Sequence, residues 1–153
     1  MERFEADQVK EKLVTLPSQE EINVYNSLDG ARASRHFYHK TLEEAEALFR
    51  ENSLYYQEDL MWMGPKAFRF YLPAAISYLQ SDAAADDSDF VSALFIIIEF
   101  REGEEDFHLA LEAINRLIEY VLSDYQKFDV DEDIYGDLFG KYRSLQTRLN
   151  APE

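Results

Sequence analysis

Between Phe90 and Phe100 the chain reads Phe-Val-Ser-Ala-Leu-Phe-Ile-Ile-Ile-Glu-Phe. A helix drawn through this stretch has almost no polar face, and such a helix is stable only when other helices enclose it. The segment from Asp89 to Arg101, with Ser88 as its cap and Gly103 as its stop, is therefore predicted to lie at the centre of a helical core. Its longest apolar run, Ala93 to Ile98, is followed by Glu99. It falls far short of the ~20 apolar residues that a membrane span needs.

The remaining sequence supplies the enclosing helices. Only five glycines occur, and few stretches alternate with the period of a strand. A first helix is predicted from Glu2 to Leu16, ending before Pro17. Ser18 and Glu21 form a capping box, in which each side chain satisfies the other's free backbone N–H. That box opens a helix from Gln19 that should stop near Gly30. Thr41 and Glu44 form a second box, ahead of a helix through Leu42, Ala45, Leu48 and Phe49. Residues 52 to 63 are less regular and rich in large side chains, and the stretch Tyr55 to Trp62 is predicted to be core. Gly64-Pro65 marks the next start, because proline suits the first helical position. Pro73 lies inside this helix and is expected to kink it. A further helix is predicted from Glu104 to Asp124, with Phe107, Leu111, Ile114, Leu117, Ile118, Val121 and Leu122 on one face. The last runs from about Asp133 to Asn150, where Ile134, Leu138, Tyr142, Leu145 and Leu149 recur at helical spacing.

Charge is distributed unevenly. Residues 82 to 137 hold seventeen carboxylates against Arg101, Arg116 and Lys127, a net of −14 of the chain's formal −16. Such a field repels nucleic acid and anionic lipid and attracts basic partners. Like charge also opposes compaction. Stability is thus expected to rise as salt is added, and a melting temperature that falls between low and moderate salt would contradict this. No cysteine is present, so no disulfide, thiolate metal site or cysteine nucleophile can form, and a cytoplasmic setting is expected. The start, Met-Glu-Arg-Phe-Glu, lacks the pattern of a signal peptide.

Three clusters could carry chemistry. Asp129, Asp131 and Asp133 are spaced like the opening of an EF-hand, but Ile134 stands where the sharp turn needs glycine and Gly140 where a bidentate glutamate belongs. They read instead as an acidic loop favouring the next helix start. His36 and His39 sit three apart, with Glu43 and Glu46 beyond, but Thr41 as a cap would break the helix between them. His108 falls four after Glu104 and four before Glu112, which one helix would place on one side. No nucleophile or oxyanion site accompanies it, so a solvated acidic face is the expected reading. Neither a phosphate-binding glycine loop nor a G-x-S-x-G elbow is found. No metal or cofactor is expected.

The stretch from Leu60 to Ala74, Leu-Met-Trp-Met-Gly-Pro-Lys-Ala-Phe-Arg-Phe-Tyr-Leu-Pro-Ala, resembles the signature of an uncharacterised family of small bacterial proteins. There a Leu-rich segment ends in Thr-Pro-Glu-Ala-Phe-Arg-Tyr-Tyr-Leu-Pro-Ala. Gly64 stands in place of the threonine, Lys66 of the glutamate and Phe70 of one tyrosine. The upstream Lys-Thr-Leu-Glu-Glu from Lys40 is also similar, with Leu42 where tryptophan is common. The resemblance covers about residues 36 to 80. It implies a compact helical protein of bacterial origin and brings no activity or catalytic residue with it. Within the segment, Phe68, Tyr71 and Leu72 should supply core, and Arg69 should pair with an acid of the negative half.

The expected fold is all-α, one domain over residues 1 to 153, an irregular bundle of about six helices kinked at Pro73. The expected role is non-catalytic protein binding through an acidic face made of Glu102, Glu104, Glu105, Asp106, Asp129, Asp131, Glu132 and Asp133. An immunity-type protein masking a basic toxin or nuclease is one concrete version. The alternatives are a small enzyme or ligand- or metal-binding protein using His108 with Glu104 and Glu112, or His36 with His39, and a structural subunit of a homo-oligomer burying Tyr55 to Trp62.

Overall fold

The computed structural model describes residues 16–152, and the helix expected from Glu2 lies outside them apart from Leu16. The architecture is all-α, with no strand among the described residues. Eight helices follow in order: α1 (Gln19–Ile22), α2 (Leu28–Phe37), α3 (Leu42–Trp62), α4 (Pro65–Gln80), α5 (Ser88–Arg101), α6 (Leu111–Ser123), α7 (Glu132–Tyr135) and α8 (Leu138–Leu149). Short 3-10 turns join several of them. Among the described residues no helix is long and apolar enough to cross a membrane.

Both capping boxes form. Ser18 and Glu21 satisfy each other's backbone N–H groups at 3.1 and 2.9 Å, and Thr41 and Glu44 do the same at the same distances. These bonds hold the Glu21 and Glu44 carboxylates below the usual glutamate range. The helix from Gln19 ends early, at Ile22; Asn26 then turns left-handed (φ 49°) and Ser27 caps a fresh helix through the Gly30 N–H. Gly30 is thus interior to α2 and does not stop a helix. α3 carries its irregularity at Asn52 (φ −160°, ψ 84°). α4 holds Pro73 in its interior, as expected.

The centre of the bundle is α4. It buries Ala67, Phe68, Tyr71, Leu72, Ala74, Ala75, Ile76, Tyr78 and Leu79, and it packs against α3, α6 and α1. This corrects the expectation for the apolar α5. That helix buries Phe90, Val91, Leu94, Phe95, Ile97 and Ile98, yet Ile96 and Phe100 are each 55% exposed. One stripe of an all-round apolar helix therefore faces solvent. Its cap is also not Ser88 but Asp87, whose Oδ1 accepts the Phe90 N–H at 3.3 Å. The Oδ2 of Asp87 accepts Ser53 Oγ at 2.6 Å and the Tyr78 hydroxyl at 2.7 Å. Burial, with help from Asp87, pushes the Tyr78 phenol up to about 12.

Helix C-termini leave carbonyl oxygens without partners, and distant side chains fill that need here. The Tyr71 hydroxyl sits 2.7 and 2.9 Å from the Phe37 and Lys40 carbonyls at the end of α2. Lys127 Nζ donates to the Leu79 carbonyl at 2.6 Å, near the end of α4. Arg101 closes α3 through the carbonyls of Leu60, Met61 and Met63. Two of the three basic side chains in the acidic half are therefore committed to helix ends. Arg69 is exposed and forms no ion pair with an acid of that half among the described residues.

Candidate functional site

The open stripe of α5 meets the end of α3 and the loop between α1 and α2. Trp62 and Phe100 stack edge to face with ring centroids 5.6 Å apart. Together with Met61, Tyr25 and Gly103 they line a cleft of about 380 Å³. A second cleft of about 490 Å³ adjoins it, lined by Val24, Pro65 and Lys66 among others, and the two share Tyr25 and Glu104. Gly64 sets the loop in place. Its N–H donates to the Ile22 carbonyl at 2.9 Å, and a Cβ at this position would collide with the Glu21 carbonyl and with Val24. No larger residue lets the α3–α4 junction approach the 21–24 segment so closely.

The lining of these clefts combines apolar side chains with carboxylates. Glu20, Glu21, Asp29, Glu104, Glu105 and Asp106 line them against the ammonium of Lys66, which itself pairs with Glu21 at 3.4 Å. Arg101 points inward, 1% exposed, and its Nη2 holds Glu104 at 3.1 Å.

The expected acidic face divides. Glu102, Glu104, Glu105 and Asp106 precede α6, whereas Asp129, Asp131, Glu132 and Asp133 follow it. A helix of that length separates its two ends by roughly 20 Å. Glu102 is engaged by Arg148 at 2.8 and 3.0 Å, which pulls its carboxylate below the usual range. At the other end, Asp131 Oδ1 accepts the Asp133 N–H at 2.9 Å and caps α7. Asp129 adopts a left-handed backbone (φ 48°). Gly136 (φ 69°) then breaks the expected final helix into α7 and α8.

The histidine pairings do not form as expected. Glu104 lies in a turn, His108 in the 3-10 segment Phe107–Ala110, and only Glu112 in α6. One helical side cannot hold all three, because the helix begins at Leu111. His39 follows the end of α2 with φ 67° and stacks on Tyr38, centroids 3.7 Å apart. His36 turns the other way. Its Nδ1 lies 2.6 Å from Asp59 Oδ2 on α3. Among the described residues no three histidine, aspartate or glutamate side chains converge as a metal site requires.

Asp59 is fully buried. Arg32 Nε lies 3.5 Å from its Oδ1, which makes no hydrogen bond. Burial pushes the carboxyl above the ordinary aspartate range, and the His36 and Arg32 contacts oppose that rise. The Tyr55 hydroxyl stands 3.4 Å from His36 Nε2, and the Tyr56 ring meets the imidazole edge-on at 5.1 Å. The geometry is that of a strut between α2 and α3, with both imidazole nitrogens occupied. Sequence reasoning passed over Asp59 and met Arg32 only as part of a small basic cluster with Arg35 and Lys40. One signal was available: Asp59 falls on the stripe of Tyr56, Leu60 and Met63, which is otherwise apolar. The segment Tyr55 to Trp62 itself is mixed, with Leu60 in the core and Tyr55 48% exposed.

Comparison with known families, curated proteins and solved structures finds no match to this chain.

Proposed function

We propose that this chain is a non-catalytic protein-binding domain that docks a basic partner at the end formed by the α1–α2 loop, the end of α3 and residues 100–106. The observation that supports this most is the pair of adjoining clefts, lined by apolar side chains together with six carboxylates. Apolar area with a charged border is how proteins hold one another. The interior contributes affinity, and the border steers the encounter and rejects like-charged competitors. An immunity-type protein that masks a basic toxin or nuclease would use such a surface, and a cytoplasmic setting suits a chain without cysteine.

The test is affinity capture from the cell of origin at low salt, with a Glu105→Lys/Asp106→Lys variant run in parallel. Wild type is expected to retain basic proteins that moderate salt releases, and the variant to retain far less. Recovery of no basic protein, or equal and salt-insensitive recovery by both chains, would count against the reading.

A further inference from the structure

We infer that the Trp62–Phe100 cleft receives the apolar face of a basic amphipathic helix from a protein partner. This rests on the protein-binding reading above and adds to it the kind of segment bound and the place where it is anchored.

The argument begins with α5. Ile96 and Phe100 are four residues apart, so they share one stripe of the helix, which also carries the exposed Glu99. Both are 55% exposed, and beside Phe100 lie Tyr25 at 53% and the partly buried Trp62. A helix of this composition normally has neighbours on every side. Among the described residues nothing covers this stripe. The cleft volume of about 380 Å³ lies in the ~300–1,000 Å³ range of pockets that bury a bound group.

The occupant's chemistry follows from the surroundings. Asp29 and Glu104 line the cleft, each paired with an arginine of this chain, Arg32 and Arg101, while Glu105 and Asp106 line the one adjoining, so flanking lysines or arginines would be attracted chiefly by the latter two. A second copy would bring the same anionic rim against itself, and an anionic membrane would be repelled. No strand exists among the described residues, so no sheet edge is offered for an extended peptide to join. Side chains projecting at i and i+4 from a helix are the mode that suits a groove made of helix ends.

Trp62 is the chain's one tryptophan, so its emission reports on the cleft directly. The probe is a synthetic tryptophan-free helix with leucines on one face and lysines on the other. Two control peptides change the leucines to serine or the lysines to glutamate. The leucine–lysine peptide is expected to shift Trp62 emission saturably, and both controls to leave it unchanged. Phe100→Ser, at a half-exposed position that should tolerate it, is expected to weaken binding at least about tenfold. Ile134→Ser, on exposed α7, is expected to leave it unaltered.

Equal binding of the serine–lysine peptide would mean that charge alone docks the partner. The proposed function would survive, and this inference would be overturned. Peptide binding seen by calorimetry with no change at Trp62 would overturn it as well, by placing the site elsewhere. Reversible dimerisation abolished by Phe100→Ser would make a second copy the occupant, again overturning it. If no cationic peptide binds and capture also recovers no basic protein, both readings fail.

Discussion

Arg101→Met is expected to cost about 4 kcal/mol of folding stability. The side chain is 1% exposed. Its Nη1 donates to the carbonyls of Leu60, Met61 and Met63 at 2.9, 3.0 and 2.7 Å. Its guanidinium lies 4.3 Å from the centroid of the Phe68 ring. These carbonyls close α3 at its junction with α4, where the contacts to Leu60 and Met63 are buried and that to Met61 is partly so. An unsatisfied buried acceptor costs roughly 1–3 kcal/mol, and methionine would leave up to three of them while roughly filling the space. The negative end of the helix also loses its cation. Arg101→Lys should fall between, because an ammonium supplies donors but not the planar fork that spans three carbonyls and covers a ring. Urea unfolding of the three chains measures this. A midpoint for Arg101→Met equal to that of wild type would mean that Arg101 does not cap α3.

His36→Ala is the second large effect, an expected loss of about 3 kcal/mol at neutral pH. It would strand the Asp59 carboxylate in the interior with only Arg32 at 3.5 Å. Asp59→Asn should be milder, since it removes the buried charge along with its partner's pull. The double variant should be less destabilised than the sum of the two. The pH dependence has a definite sign. Burial raises the folded-state pKa of Asp59, so the folded protein holds that proton more tightly than the unfolded chain. Its contribution to stability is fully present below the unfolded aspartate value and is lost as pH rises through the folded one. Removing His36 takes away an influence that lowers this pKa, so the penalty at neutral pH grows. The His36→Ala deficit should therefore shrink as pH falls and Asp59 takes up its proton. A deficit constant across the acid range would show that the lost contact is one of packing rather than charge.

What could be read from the chain was local. The two capping boxes, the Gly64-Pro65 start and the spacing of Leu138, Tyr142, Leu145 and Leu149 all act within a turn or two, and each appears in the structure. What could not be read depends on contacts between distant segments. The break after Ile22 reflects the fit of residues 21–24 over Gly64. Asp87 outcompetes Ser88 as a cap because Ser53 and Tyr78 hold its other oxygen. Arg101 reaches carbonyls some forty residues earlier, which no spacing rule anticipates. The acidic residues were visible as a run, but a run does not say which end of α6 each acid occupies. The cleft was not legible: Trp62 fell in a segment read as core and Phe100 in a helix read as central, and only the fold brings them to one opening.

The most direct measurement is a hydrogen–deuterium exchange footprint of the full chain with a captured basic partner bound. The docking account predicts protection confined to the α1–α2 loop, the end of α3 near Met61 and Trp62, and residues 100–106. Protection centred instead on Asp129 to Asp133, or on the His36–Tyr55 side, would contradict it.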